Sequence, residues 1–592
     1  MTRTLEPAIS TLLPVPAPVL GLAAKLFAFD RVEQAYAELR SNDDGKPFLQ
    51  RLLDLLEVRC KVAERDLAHV PRSGPAVLVA NHPFGILEGA ALATVLRSIR
   101  PDVRFLANGI LGVFPEVRDL LLSVDPMGGA ARRNSGALRQ AIEFLQSGGL
   151  LVVFPAGEVS HFQWKQRMVT DPEWNPAIAR IIEICSRRGV SVPVVPAYIE
   201  GSNSLLFQAA GLVHPRLRTA LLARELFNKR RHTLDVRIGS PVECAKLLAI
   251  EGDAARISYL RWRTYLLAHR CEYKPRTRMP FPAHGRRKSV VPLAGAEDPS
   301  VLSGEVAALP EGSRLATSGV LAAYIAPAGS IPNVLRELGR LREKTFRAVG
   351  EGTGQARDLD HFDQHYLHLF VWNEERRELV GAYRLAGTDR AEGGLYTASL
   401  FQYGEAFLQR LGPALELGRS FVREEYQKGF APLLLLWKGI GKYVAKNPRY
   451  RTLFGPVSIS NDYQALSREL MVAFLEKHAS LRDWVGLVRH RHAFRRQTDL
   501  PLPEAGFDVE DLSEVVSDLE PNRVGIPVLL RQYLKLGGKL LGFNVDPEFS
   551  NALDGLILVD LLRTEPKLLQ RYLGPAEAAA FLQFQKGQYG TQ

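Results

Sequence analysis

The chain has 592 residues, 46% hydrophobic and 23% charged, a balance that excludes disordered, collagenous and disulfide-stapled proteins and leaves room for two large domains or up to about four smaller ones. Lys and Arg outnumber Asp and Glu by 75 to 64, a net charge of +11, which favours an anionic partner: nucleic acid, anionic lipid or an acidic protein. Nucleic acid is the weakest of these, since no zinc-finger or RNP pattern is present. No apolar run reaches the ~18 residues of a membrane span. The proline-broken start MTRTLEPAISTLLPVPAPVLGLAAKLF does not read as a signal peptide. Four cysteines, Cys60, Cys185, Cys244 and Cys271, lie far apart without a CxxC pair and read as reduced, packed thiols rather than a metal site.

In chain order, residues 1–70 predict amphipathic helices that end at Pro71-Arg72-Ser73-Gly74-Pro75. Short β-branched runs at 76–80, 103–106, 150–154 and 192–198 then alternate with helical patterns, which predicts a βα series on a parallel or mixed sheet. Residues 285–314 hold no period and predict a linker between domains at 1–284 and 315–592. The second half predicts a helix at 331–349, strands at 366–372, 379–386 and 415–422, a helix at 432–445 and a strand at 452–460. In the apolar stretch 527–543, Arg531, Lys535 and Lys539 recur every fourth residue. They predict one helical stripe, either solvated or resting on anionic headgroups.

VLVANHPFGILEGAAL sets Asn81 and His82 at the end of a strand, where α/β sheets open a ligand crevice. A turn over Pro83-Phe84-Gly85 can bring Glu88 back to His82, so that the carboxylate fixes the tautomer and the other nitrogen accepts a hydroxyl proton. A second apolar strand ends in Phe154-Pro155-Ala156-Gly157-Glu158-Val159-Ser160, where glycine lets amides approach an anion. In order and spacing these segments resemble the blocks of the glycerophospholipid (lysophosphatidate-type) acyltransferases, in the branch with an NHPFG-type first block that includes hemolysin-like proteins. The resemblance implies His82 as general base, Glu88 as its orienting partner, and Asn81, Gly157 and Glu158 in substrate support. It also implies Arg133, or Arg132, of DPMGGAARRN as the cation for an acceptor phosphate. Glu stands where that family commonly has Asp, and the Thr-Arg-Ser of its third block is missing, so the acceptor need not be a glycerol phosphate.

In the second half Arg342 and Phe346 lie four apart on a helix, Asp358, Asp360 and Asp363 crowd the loop that follows, Arg384 closes VGAYRL, and Glu416 and Arg419 lie on LELGRSFV. Residues three apart on a strand face opposite sides, so Glu416 and Arg419 share a pocket only if a bulge or the strand end intervenes. This order resembles the acyl-homoserine-lactone synthases and, more closely, the hemolysin-like N-acyltransferases of ornithine-lipid synthesis, both GNAT-like in fold. The texture extends to LLRQYLKLGGKLLGFNVDPEFSNALDGLILVD. The resemblance implies that Glu416 deprotonates or positions the amine. It implies that Asp360 and Asp363 hold a cationic amino acid, that Arg384 and Arg419 form the carboxylate site or the pocket wall, and that Arg342 belongs to the substrate site. In the segment where GNAT enzymes commonly bind pyrophosphate, Gly429 and Ala431 are present but Tyr426 fills the first position, which suits acyl carrier protein better than coenzyme A as donor.

The joined halves resemble the bifunctional ornithine-lipid synthases. The implied fold is α/β, an acyltransferase-type αβ domain followed by a GNAT-like mixed-sheet α+β domain. The implied activity is N-acylation of an amino acid, ornithine first among glycine, glutamine and lysine, then O-acylation of the lyso-lipid hydroxyl. No tightly bound cofactor is expected, an acyl thioester being the co-substrate. The expected partners are acyl carrier protein, which the basic stretch 489–496 could dock, and an anionic membrane surface. The place is the inner face of a bacterial cytoplasmic membrane. Two alternatives stand beside this reading: a lysophosphatidate acyltransferase with an accessory GNAT-like domain, and a non-catalytic membrane-surface scaffold.

Overall fold

The computed structural model describes residues 27–42, 44–124, 135–270, 290–391, 393–484, 486–496, 502–504 and 506–589. The chain divides into two compact units, Met1–Tyr273 with Pro503–Arg523, and Lys274–Leu502 with Val524–Gln592.

The first unit is built on strands β1 (Arg59–Val62), β2 (Ala76–Ala80), β3 (Val103–Asn108), β4 (Leu121–Val124), β5 (Leu150–Val153), β8 (Val194–Ile199) and β9 (Thr233–Ile238), with β6 (His161–Gln163) and β7 (Met168–Thr170) as a separate hairpin. The sheet order is β1-β9-β8-β2-β5-β3-β4, and only the β8–β9 pair is antiparallel. β2 and β5 are buried along their whole length, as their unbroken apolar runs require of strands covered on both faces. The helix Leu87–Arg97 lays Leu87, Ala91, Leu92 and Leu96 into the same core. Because β8, β2 and β5 are parallel neighbours with Ala80 opposite Ala197 and Val79 opposite Val153, the residues that follow each strand emerge along one edge.

The second unit carries β10 (Arg314–Ser318), β11 (Leu321–Pro327), β12 (Leu367–Asn373), β13 (Glu378–Gly387), β15 (Ala414–Val422), β16 (Thr452–Ile459), β18 (Lys539–Asp546) and β19 (Ala552–Asp560), with β14 (Phe401–Tyr403) and β17 (Val488–His490) paired apart. The order is β10-β11-β12-β13-β15-β16-β19-β18, with one parallel pair, β15–β16. That pair holds only over Ala414–Glu416 against Thr452–Phe454, so the two strands part beyond Glu416 and open the middle of the sheet.

Three sequence expectations are corrected. The stretch read as an aperiodic linker, 285–314, contains the helix Pro299–Ala307, capped by Asp298 through a 2.7 Å bond from the Ser300 amide. Its Leu302 and Val306 pack with Val334, Leu338 and Leu341; two inward residues in nine are too few to show a period. The domain read as 315–592 gives up Pro503–Arg523 to the first unit. There the helix Val509–Leu519 is held by the buried Asp511, bonded to Tyr259 Oη at 2.9 Å and paired with Lys246. Its Asp518 accepts from the Ser240 amide and hydroxyl at 3.0 and 2.7 Å. The cationic stripe does not form: the helix Val528–Lys535 stops at Gly537, whose φ is +84°, and Lys539 opens β18.

Candidate active sites

In the first unit the turn after β2 folds Glu88 back beneath His82. Gly85, at φ +104°, lets the chain reverse where a Cβ would lie 2.8 Å from Leu222. The amides of Phe84 and Gly85 then point at Glu88 Oε1 from 2.9 and 2.8 Å. His82 Nδ1 donates to the same oxygen at 2.9 Å. Glu88 is fully buried. Burial alone would raise its carboxyl, but the His82 charge and hydrogen bond with the two amides outweigh it and hold the group below the usual range. The arrangement fixes the tautomer and leaves Nε2 to receive a proton. The imidazole stacks on Phe154, the first residue after β5, at 4.3 Å and 20°. Asp171, which sequence reasoning missed, ties the backbone: it accepts from the His82 amide at 3.1 Å, from Ser160 Oγ at 2.5 Å and from Trp174 Nε1 at 2.9 Å. DPEW follows a hairpin with no period, so only a fold could show that link.

The other residues expected at this site have different places. Asn81 is buried and exchanges two hydrogen bonds with the Ile199 backbone, 2.8 and 2.7 Å long, which pin β2 to β8. The Gly157 amide closes a turn onto the Phe154 carbonyl at 3.0 Å, with φ +66°, so this glycine shapes the loop rather than lending its N–H. Glu158 is ion-paired with Arg218. Arg132 and Arg133 lie outside the described residues. A cavity of about 860 Å³ lies beside this loop, lined among others by Glu158, His161, Asp171, Trp174, Arg218 and Arg261, with neither His82 nor Glu88 in its wall. Of its two arginines, Arg218 is the one paired with Glu158, and Arg261 donates to the Asp171 carbonyl at 3.1 Å.

In the second unit a bulge settles the strand geometry. Across β13 and β15, Ala382 faces Phe421 while Arg384 faces Gly418, and the extra residue includes Arg419 at φ +48°. Both Glu416 and Arg419 thereby meet Tyr396. Its amide donates to Glu416 at 3.2 Å, and its ring lies 4.9 Å from the Arg419 guanidinium. Glu416 is fully buried and also accepts from the Thr397 amide at 2.7 Å and from the hydroxyls of Tyr366 and Thr397. A carboxylate with four donors fits positioning, not proton abstraction.

Asp360 and Asp363 are likewise occupied. They form the capping box of the short helix His361–Gln364. Asp363 lies 3.0 Å from Arg342 Nη2, and Asp360 accepts from Arg384 at 2.7 Å. Against the effect of burial, Arg342 and Arg384 hold the Asp363 carboxyl well below the carboxylate range. These two acids therefore brace the arginines, which corrects their expected role as the amine site. Phe346 lies 6.2 Å from Phe549, ring to ring. Tyr426 is tied to Glu378 at 2.6 Å and to Asn373 at 3.0 Å. Among the described residues, no group of three His, Cys, Asp or Glu side chains is gathered to hold a metal ion, and no helix is long and apolar enough to cross a membrane.

Residues 59–272 match the family model of an acyltransferase, and residues 341–438 that of an acetyltransferase (GNAT) domain. The class is set by these two: the chain is an acyltransferase, with an acyltransferase domain ahead of a GNAT domain. It is 35% identical over 233 residues to the glycine N(alpha)-acyltransferase of Phocaeicola vulgatus, spanning 36% of this chain and 71% of that protein. It is 26% identical over 210 residues to the lyso-glycine lipid O-acyltransferase of the same organism, 34% of this chain and 70% of that one. With the L-ornithine N(alpha)-acyltransferase of Brucella abortus the figures are 28% over 254 residues, 41% and 81%. The chain belongs to the amino-acid N(alpha)-acyltransferase family represented by the first of these proteins.

Proposed function

We propose that the chain makes a doubly acylated amino-acid lipid, the second unit acylating the α-amine of a free amino acid and the first esterifying the hydroxyl of the resulting lyso-lipid. What carries this reading is one chain with both an oriented His82–Glu88 pair and a GNAT domain, similar to relatives named for each step. In the ester step His82 Nε2 takes the hydroxyl proton as oxygen attacks the thioester carbon. The C–S bond then breaks, and the proton passes to the leaving thiolate. Ornithine is the amino acid of the sequence resemblance, and glycine that of the most identical relative reported above. The donor we propose is acyl carrier protein, docked on the exposed Arg489, Arg491, Arg495 and Arg496. The product lies in a membrane, which the basic chain meets at its surface.

The test is acyl transfer by the purified full-length chain from acyl carrier protein or coenzyme A thioesters to glycine, ornithine, lyso-amino-acid lipid and lysophosphatidate. The reading expects an N-acyl amino acid and then its ester. Acylation of lysophosphatidate with neither amino acid accepted would replace it with the glycerolipid alternative.

A further inference from the structure

Three acidic side chains that the reading above leaves unused converge in the second unit. Glu351 follows the helix Pro332–Ala348, Asp546 ends β18 and Asp554 lies in β19; they are 8, 6 and 7% exposed. The register sets Asp554 opposite Ser458 of β16 and Asn544 of β18, with Asp546 two residues further along β18. Ser458, Asp546 and Asp554 therefore share one face of the sheet. Ser458 Oγ donates to Glu351 at 2.9 Å and brings the third carboxyl over that face. Asp546 accepts from the Glu548 amide at 2.8 Å. Burial first, then the neighbouring acids, raise all three, with Asp462 acting on Glu351 and Glu548 on Asp546; Glu351 is pushed up to about 7. Among the described residues, none of the three is held in an ion pair with Lys or Arg.

A buried base gives the second, independent observation. The Arg419 side chain is 9% exposed, yet its Nε has no hydrogen-bond partner, and the nearest carboxylates, of Asp358 and Asp360, stand off at 3.7 Å. Its guanidinium is held over Tyr396 at 4.9 Å and Phe549 at 4.2 Å, and its charge acts on all three acids. Arg384, beside the same Tyr396 ring at 4.7 Å, is 1% exposed with Nε and Nη2 also unpartnered. Open guanidinium donors suit a carboxylate, and a cation-poor acid cluster suits an ammonium.

We infer that this is the acceptor pocket: a free α-amino acid binds as its zwitterion, carboxylate on Arg419 and Arg384, ammonium against Glu351, Asp546 and Asp554. The inference rests on the N-acyl-transfer reading and deepens it, giving the amine a different set of acids from Asp360 and Asp363. In turnover the ammonium passes one proton to the cluster. The freed lone pair forms the C–N bond to the thioester carbon as the C–S bond breaks. The second proton leaves with the thiolate as thiol, and the cluster returns its proton to solvent.

The experiment uses the full-length chain with an acyl thioester, following N-acylation of glycine and of ornithine, with propylamine and propionate as inhibitors that each mimic half of the zwitterion. Asp554→Asn raises the KM for the amino acid and the inhibition constant of propylamine about tenfold or more, and leaves propionate within about twofold. Arg419→Gln does the reverse: propionate weakens and propylamine does not. Glu351→Gln repeats the amine effect and serves should Asp554→Asn fail to fold. An active wild type whose variants shift neither inhibitor overturns the pocket alone. A wild type that acylates no amino acid overturns the functional reading, and the pocket with it.

Discussion

For His82 the decisive feature is a single oxygen, Glu88 Oε1, which accepts two backbone amides and the imidazole at 2.8–2.9 Å. Taking that oxygen away frees both the ring and the turn. Glu88→Ala should lower the ester-forming rate about 10²-fold or more and leave N-acylation by the other unit unchanged, as separate assays of the two products would show. Equal loss of both would contradict the assignment. Glu351 ties pH to stability. Folded, it is pushed up to about 7, so it holds a proton that the unfolded chain gives up near its ordinary value of about 4.3. Its contribution is therefore fully present below the unfolded value and lost as pH rises through the folded one. Glu351→Gln should flatten the fall of the melting temperature between about pH 5 and pH 8.5. Parallel curves for the two proteins would argue against a buried, proton-holding Glu351.

Among the elements, those with a continuous apolar or strictly periodic pattern were legible: β2, β5, β12, β13, β15, β16 and the helices Pro332–Ala348 and Ala431–Lys446 match the sequence reading to within a residue or two. The contact between His82 and Glu88 was legible because one short turn joins them. What sequence could not show depends on register and long-range pairing. Glu416 and Arg419 face one pocket only through the bulge at Arg419. Asn81, a candidate for substrate by position, is spent on Ile199, 118 residues away. Asp546 and Asp554 lie in the C-terminal stretch 529–560, but nothing local marks them as neighbours of Glu351. The helix Val509–Leu519 is the largest surprise, since its partners Lys246, Tyr259, Ser240 and Arg263 come from the first unit. Asp518→Ala leaves the Ser240 amide without its acceptor and removes the buried carboxylate paired with Arg263. Breaking a buried pair from one side costs about 3–5 kcal/mol, to be read as a lower urea midpoint for the unfolding of that unit. A midpoint unchanged from wild type would contradict the tie.

At the scale of the whole molecule, the proposal joins two acyl transfers in sequence on one chain. In the proposed reading the groups for the two steps lie in separate units: His82 and Glu88 in Met1–Tyr273, Arg384, Arg419 and the three acids in the second unit. Each step should therefore be removable alone. The most direct measurement is mass spectrometry of lipids extracted from a bacterial host without amino-acid lipids, expressing the wild type, His82→Ala or Arg419→Gln. The expected result is a doubly acylated amino-acid lipid from the wild type, accumulation of its singly acylated lyso form with His82→Ala, and a marked loss of both with Arg419→Gln. The head-group mass would separate glycine from ornithine. A wild type that makes no such lipid, or a His82→Ala variant that still makes the doubly acylated one, would contradict it.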